Sequence, residues 1–280
     1  MGQRRWNIKK RIMAGFVLVA VSAVVALLFR QTENKLRTEY RRLVQRSVES
    51  AVHRLDTFIR EIYNISDNYA FNNQLDSYLE KEYTEEQVYQ RRADVMRMYR
   101  NIFETSDILQ KREKISGILT AKGVLFNFAD VNCDGQEVAD RLTALGVNDP
   151  DHLMRFYWYP LQDNFMVSDA FGDPRRDKAV FGSRRVYSVW KSAYVCAHIF
   201  CVQEEDLYEV YRENVVETKG EIYVLDEHGN LLSSSNDECI ARGRIDDIFR
   251  ERILNRTEDD FTWKSGYGKF EVCVRESELS

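Results

Sequence analysis

Glycine and proline are both missing from a long N-terminal part of the chain, residues 16–116. Because these two residues are the main breakers of helices, their absence favours a helical block over that range. The three prolines of the chain, Pro150, Pro160 and Pro174, all fall within one central stretch. That stretch is predicted to consist of loops and edge strands, which commonly carry binding sites.

Cysteine and histidine are sparse and form no pattern typical of metal sites or disulfides. The five cysteines include no C-x-x-C pair, and an odd number excludes a complete internal disulfide set. The four histidines lie far apart in sequence and form no H-x-x-x-H or H-E-x-x-H pair. Residues 130–135 match the first half of a calcium loop, but Arg141 stands where a bidentate glutamate is needed. We therefore predict neither a metal site nor a cofactor.

Sequence motifs of nucleotide-binding and acyl-transfer enzymes are also missing. The chain contains no G-x-S-x-G, Walker A or G-x-G-x-x-G sequence and no kinase catalytic motif, so we expect it not to be an enzyme. The net charge is −5, and the basic residues beyond the N-terminal tail are mixed with acidic ones. Without a basic field, we expect no nucleic-acid partner.

One apolar run is long enough to cross a membrane: residues 12–29, which are 18 uncharged and mostly apolar residues. At about 1.5 Å per residue, such a helix just spans a hydrocarbon layer of about 30 Å. The tail before it, residues 1–11, is basic and has no acidic residue, so the positive-inside rule places it in the cytoplasm. This predicts a single-pass protein of the cell membrane whose bulk is extracytoplasmic. A cleaved signal peptide is the alternative, but its apolar core is usually shorter and ends at a small-x-small site.

The membrane segment is predicted to continue into a stalk helix, residues 30–70. Apolar residues from Leu36 to Ile65 recur there at spacings of three and four, which gives one apolar stripe. The stripe can pack on the protein's own domain or on a second copy of the chain, and a parallel homodimer would use both. A capping box at Thr84 predicts a second helix.

Beyond the helical block, the pattern changes to short strands rich in Ile, Leu, Val and Phe. The predicted strands are residues 115–120, 123–128, 179–188, 193–202, two within 221–235, 261–264 and 269–274. Helices are predicted after Gln203 and near residues 245–254.

The best candidate for a ligand site is the segment Arg155-Phe-Tyr-Trp-Tyr159 together with Asp173. A guanidinium binds a carboxylate through paired hydrogen bonds, aromatic side chains wall a pocket, and an acid holds an ammonium group. This combination suits a small zwitterion. The alternative is an aromatic core strand with a surface arginine.

A further candidate is Arg184, which lies beside Arg185 in a predicted strand. Strand alternation sends one of these arginines inward and the other to solvent. The inward one can hold an acidic ligand or form a structural ion pair. The candidate ligand-binding residues are Arg155, Tyr157, Trp158, Tyr159, Asp173 and Arg184.

Taken in order, these elements resemble the double Cache sensor region of YesM-like sensor histidine kinases of Gram-positive bacteria. The resemblance is carried by residues 65–68 (Ile-Ser-Asp-Asn), the hairpin after Asp107, residues 182–187 with the strand that follows, and residues 221–235. It covers residues 30–280. It implies an α/β fold of the α+β kind, in which a long transmembrane and stalk helix is followed by two PAS-like antiparallel sheet modules, the second incomplete.

The resemblance implies a domain organisation and a function. The implied segments are a cytoplasmic tail (1–11), a transmembrane helix (12–29), a stalk (30–70), a membrane-distal sensor module (71–202), a connector helix (203–219) and a partial membrane-proximal module (220–280). The implied function is the extracytoplasmic ligand-sensing region of a membrane-bound two-component sensor histidine kinase, whose kinase portion is not among these residues. The alternatives are a membrane-tethered interaction module and a chemoreceptor-type sensor.

The resemblance also bears on partners and on the ligand. The implied partners are a small-molecule ligand or a solute-binding protein, the membrane, and a second copy of the chain through the stalk. Residues 155–159 loosely resemble the Arg-x-Trp-Tyr pattern, with a later Asp, of Cache domains that bind amino acids. In this chain, Trp158 stands one residue later than in that pattern.

Overall fold

The structure is a computed structural model, and it describes the chain in segments. These are residues 2–70, 89–90, 93–94, 97, 115–120, 125–127, 135–147, 149, 155–166, 172–188, 191–265 and 268–277. The start of the second helix predicted at Thr84 and residues 130–134 of the calcium-like loop lie outside the described residues.

The N-terminal part of the chain is a single long helix, α1 (Gly2–Ala70). The chain divides into two compact units, residues 1–47 and 48–280, and α1 contributes to both. Within the second unit, the buried apolar side chains of α1 recur every three or four residues, at positions of the predicted apolar stripe. They are Ala51, Leu55, Phe58, Ile62 and Ile65. These side chains pack into the core of that unit, and use of the stripe by a second copy stays a prediction.

No helix among the described side chains is long and apolar enough to span a membrane. Most of the predicted segment 12–29 lies outside them, because the side chains of residues 12–24 and 26 are not described. The membrane-spanning role of residues 12–29 stays a prediction.

An antiparallel sheet of five strands lies at the centre of the second unit. Its strands are β1 (Ile115–Thr120), β2 (Leu125–Asn127), β3 (Phe156–Asp163), β4 (Lys178–Ser188) and β5 (Ala193–Gln203). Their order is β2-β1-β5-β4-β3, so the last strand in sequence is inserted between β1 and β4. The predicted hairpin and the two later strands are confirmed, and the aromatic segment after Arg155 is an edge strand, as the prolines indicate.

Each face of this sheet has its own core, because side chains alternate across a strand. One face, here called the α1 face, packs on α1 through residues such as Ile118, Val186 and Phe200. The opposite face, here called the α2 face, packs on helix α2 (Gly135–Ala144). Its core includes Leu119, Phe181 and Ile199 of the sheet together with Val138 and Leu142 of the helix. The sequence analysis missed α2, although the spacing of four between Val138 and Leu142 was a signal for it.

Helix α3 (Glu204–Thr218) follows β5 directly, where the connector helix is predicted. It leads to a smaller region with strands β6 (Tyr223–Leu225) and β7 (Leu231–Ser234), helices α4 (Asp237–Arg242) and α5 (Asp247–Leu254), and strands β8 (Asp260–Ser265) and β9 (Gly268–Cys273). The β6–β7 and β8–β9 pairs are separate antiparallel hairpins. Residues 115–203 are called the sheet module below, and residues 223–273 the hairpin module.

The turn between β6 and β7 follows from its local sequence. Gly229 has a φ of 73°, a conformation that favours glycine. The carboxylate of Asp226 accepts hydrogen bonds from the backbone nitrogens of His228 and Asn230, at 2.9 and 2.7 Å. Such local bonds are the reason why aspartate is common in turns. The predicted pair of strands in residues 221–235 is therefore confirmed.

Candidate functional site

The aromatic residues of the predicted ligand site lie on β3, and strand alternation divides them between the two faces of the sheet. Tyr157 and Tyr159 belong to the α2 face. Trp158 belongs to the α1 face, where its indole nitrogen donates to the hydroxyl of Tyr63 on α1 at 3.2 Å. The structure therefore does not bring the three aromatic residues into one wall.

Arg155 and Asp173 lie at opposite ends of the β3–β4 pair. Arg155 is exposed and directly precedes β3. Asp173 is in the loop before β4, whose first residue, Lys178, pairs with Asp163 at the far end of β3. An eight-residue strand separates these ends, which at 3.3 Å per residue is about 25 Å. The expected joint capture of one small zwitterion by Arg155 and Asp173 does not fit this distance.

Asp173 has a local structural role instead. Its carboxylate accepts a hydrogen bond from the backbone nitrogen of Arg175 at 2.9 Å, and its carbonyl oxygen accepts from Arg176 and Asp177. These bonds close the turn that leads into β4. The aspartate is therefore explained by turn formation, which favours this residue type.

Arg184 is the inward arginine of the pair, and it lies on the α1 face. Its side chain is only 14% exposed, and its Nη1 donates to the carboxylate of Asp67 on α1. The neighbouring strand places His198 opposite Arg184. Burial, and then the Arg184 charge, lowers the pKa of His198 to about 3. The geometry is that of a structural ion pair between the sheet and α1, which was the alternative for this residue.

The α2 face carries a set of polar groups beside the two tyrosines. The α2-face cluster consists of Tyr157, Tyr159 and Ser183. The hydroxyls of Tyr159 and Ser183 are hydrogen-bonded at 3.0 Å, and Tyr157 pairs with Ser183 in the strand register. Burial raises the pKa of Tyr159, so its phenol is neutral at physiological pH. The α2-face cluster therefore offers neutral hydrogen-bond donors and acceptors beside aromatic rings.

Asn164 and Arg185 are polar residues of the same face, at opposite ends of the β3–β4 pair. The Asn164 Oδ1 atom accepts from the thiol of Cys201 at 3.4 Å, while its amide nitrogen is buried and has no hydrogen-bond partner among the described residues. The guanidinium of Arg185 lies 4.0 Å from the ring centre of Tyr194 and donates to the carbonyl of Asp149 at 3.0 Å. Within the α2-face cluster, the hydroxyls of Tyr159 and Ser183 beside aromatic rings suit a small ligand that has both polar and apolar parts.

Sequence reasoning identified Tyr157 and Tyr159 but missed Ser183 as a member of this cluster. The signal for Ser183 was its place next to the inward Arg184, because alternation puts it on the opposite face. Nothing local marks Asn164, which contacts the thiol of distant Cys201 on the same face. No group of three metal-ligating side chains occurs in the part of the chain that the structure describes.

Comparison with known proteins defines the fold. No protein-family model and no curated protein sequence matches the chain. The ligand-binding domain of the Campylobacter jejuni chemoreceptor Tlp3, in complex with 4-methylisoleucine, matches with a TM-score of 0.53 and 13% identity over 84% of this chain and 87% of that one. The sensory domain of the same chemoreceptor with isoleucine bound matches with a TM-score of 0.51 and 13% identity over 88% of this chain and 89% of that one.

At 13% identity, the similarity shows the fold alone. The chain has a mixed α+β fold with antiparallel sheets, like that of a chemoreceptor sensory domain, and this agrees with the expected Cache-like architecture. The extracellular domain of a protein described as a histidine kinase also matches, with a TM-score of 0.48. That similarity is too weak to support a kinase assignment.

Proposed function

We propose that this chain is the extracytoplasmic ligand-sensing region of a membrane-bound signalling receptor. The observation that carries the proposal is the two-faced sheet of the sensory-domain fold, with α1 packed on one face and the α2-face cluster on the other. The ligand binds at the α2-face cluster, and α1 carries the response toward the membrane. A homodimer through α1 belongs to the same proposal.

Alternation along β3 and β4 supports a route from the ligand to α1. Tyr159 and Ser183 are bonded to each other on the α2 face. Their sequence neighbours Trp158 and Arg184 are bonded to Tyr63 and Asp67 of α1 on the other face. A ligand that favours one position of the β3–β4 pair therefore also favours one position of α1, since it shifts a population of states.

The proposed ligand is a small amino acid with an apolar side chain. Tyr157 and Tyr159 contribute the aromatic surface, and Arg155 is the proposed partner of the ligand carboxylate because it directly precedes β3, two residues before Tyr157. The solved structures of Tlp3 contain isoleucine and 4-methylisoleucine, which favours this ligand class. Trp158 and Arg184 are assigned to transmission.

The output domain is a further part of the proposal. The sequence resemblance favours a two-component sensor histidine kinase, while the fold similarity to Tlp3 supports a chemoreceptor-type sensor as the alternative. Both classes place the sensing region outside the cell.

A thermal-shift screen of the full chain in detergent tests ligand sensing. The standard amino acids, simple sugars and short peptides are added separately, and the melting temperature is measured. A ligand at a hundred times its Kd adds about 2.7 kcal/mol to the free energy of unfolding. We expect a rise in melting temperature with one or more apolar amino acids.

Variants link that rise to the α2-face cluster. Tyr157→Phe and Arg155→Met are expected to weaken the response, whereas Tyr223→Phe in the hairpin module is the matched control and leaves it unchanged. A flat profile across the whole library contradicts small-molecule sensing and favours recognition of a partner such as a solute-binding protein.

A further inference from the structure

Arg175 is a mostly buried arginine between β3 and β4 that bonds to three other elements. Its Nη1 donates to both carboxylate oxygens of Glu204 in α3, at 2.9 and 2.8 Å, and to the carbonyl of Ser234 in β7 at 2.8 Å. Its Nη2 donates to Asp237 in α4 at 2.6 Å. The ring of Tyr208 lies 3.9 Å from the guanidinium carbon. One side chain of the sheet module thus binds both α3 and the hairpin module.

Glu204, the partner of Arg175, is fully buried, with 0% of its side chain exposed. It also accepts hydrogen bonds from the Ser233 hydroxyl at 2.7 Å and from the Ser234 backbone nitrogen at 3.4 Å. The Ser233 hydroxyl is bonded in turn to that of Tyr211 at 2.7 Å. Burial raises the pKa of Glu204, although the bonds from Ser233 and Arg175 oppose this shift.

The hydrogen bonds of Arg175 and Glu204 link two strands of the sheet module to the hairpin module, so the network is more than a local ion pair. Arg175 lies three residues before β4, and Glu204 directly follows the last residue of β5. These are two adjacent strands of the sheet module. The hydrogen-bond partners of these two residues, Ser233, Ser234 and Asp237, belong to β7 and α4 of the hairpin module.

A neighbouring ion pair, Arg176 with Glu205, is an ordinary surface contact between the same two segments of the chain. Arg176 and Glu205 follow Arg175 and Glu204 in sequence, and their side chains are 3.1 Å apart. They are 50% and 44% exposed, against 13% and 0% for Arg175 and Glu204. Exposed pairs contribute little to stability, whereas a buried pair is sensitive to loss of either partner. The chain therefore contains its own matched control.

We propose that Arg175 and Glu204 form a clamp that transmits movement of β4 and β5 to the hairpin module. The role of a ligand in starting that movement rests on the proposed function, but the clamp itself is defined without a ligand. Arg175 is a positioning residue, because it acts through Ser234 and Asp237. A purely stabilising ion pair would protect both modules alike, and this distinguishes the two roles.

Hydrogen–deuterium exchange of the full chain in detergent, without ligand, tests the clamp. Arg175→Met and Glu204→Gln are expected to speed exchange in residues 231–242 by about tenfold, while exchange in residues 178–203 changes by less than about twofold. Arg176→Met and Glu205→Gln are the matched controls and leave both ranges unchanged. Arg175→Lys is expected to give an intermediate result, since an ammonium cannot reproduce the fork to Glu204 and Asp237.

Two results overturn the proposal. The first is unchanged exchange in residues 231–242 of both clamp variants. The second is an acceleration of exchange in residues 178–203 as large as that in residues 231–242. This result would mean that the pair only stabilises the whole unit. If the single variants fail to fold, the double variant Arg175→Met with Glu204→Leu removes both charges and keeps apolar volume. Fast exchange of its hairpin module supports the clamp, and wild-type exchange there contradicts it. A negative ligand screen overturns the proposed function and leaves this test intact.

Discussion

The pKa of His198 departs strongly from the ordinary pKa of a histidine side chain. It is 1% exposed in the middle of β5, and its ring lies 4.3 Å from that of Phe200. Arg184 lies opposite it on the α1 face, bonded to Asp67. A second positive charge beside Arg184 is unfavourable in this low-dielectric setting, so the imidazole is neutral. Burial and the neighbouring Arg184 charge thus leave Arg184 as the charged member of this pair of residues.

This neutral state predicts a pH dependence of stability. The pKa of His198 falls from 6.5 to about 3 on folding, so the unfolded chain binds the proton more tightly. The stabilising contribution is complete above the unfolded pKa and is lost as the pH falls from 6.5 toward 3. Between about pH 7 and about pH 5, wild type is expected to lose about 2 kcal/mol more unfolding free energy than His198→Gln.

Urea unfolding of both proteins at several pH values measures that difference. His53→Gln, at an exposed position of α1, is the matched control for loss of a histidine. An identical pH dependence in wild type and His198→Gln would show that the pKa of the ring does not fall on folding.

At the scale of elements, strands and turns could be predicted from the sequence because their signals are local. The β6–β7 pair follows from apolar runs around Asp226 and Gly229, and β4 and β5 follow from long apolar runs. Helix α4 was missed, although Asn236 caps its first turn and Gly243 ends it. Both signals were present in the sequence, but the helix has only six residues.

The candidate site was harder to predict, because it depends on which strands pair and which face each residue takes. Tyr157 and Trp158 are adjacent in sequence, yet they lie on opposite faces of β3. Arg155 and Asp173 were grouped by residue type, whereas strand pairing separates them. The bond between Arg175 and Asp237 joins residues far apart in the chain. No local pattern contains that information.

The ion pair between Asp67 of α1 and Arg184 of the sheet can be tested by substitution. Asp67→Asn leaves the mostly buried Arg184 without its charged partner. Because Asp67 is 48% exposed, water compensates in part, and the expected loss of unfolding free energy is about 1–2 kcal/mol. Urea unfolding measures it.

The matched control is another ion pair of α1, between Arg54 and Glu213 of α3. Its groups are 2.8 Å apart but well exposed. Glu213→Gln is therefore expected to cost less than about 0.5 kcal/mol. Equal losses in the two variants would mean that Arg184 is as well solvated as a surface arginine.

At the scale of the whole second unit, polar contacts at or near β4 connect the sheet to α1 and to the hairpin module. The α2-face cluster lies on β3 and β4, the Arg184–Asp67 pair joins β4 to α1, and the Arg175–Glu204 clamp joins the sheet module to the hairpin module. Each contact is made by a residue at or near β4. We therefore expect a small displacement of this strand to be transmitted to both α1 and the hairpin module, as packed elements tend to switch between discrete arrangements.

The most direct test of the account maps where a ligand acts. The amino acid that gives the largest thermal shift is added to the full chain, and hydrogen–deuterium exchange is compared with and without it. We predict that the ligand protects residues 156–166 and 178–188 from exchange and alters exchange in residues 55–67 of α1. Protection confined to residues 223–273, or no protection with any amino acid, would contradict ligand sensing at the α2-face cluster.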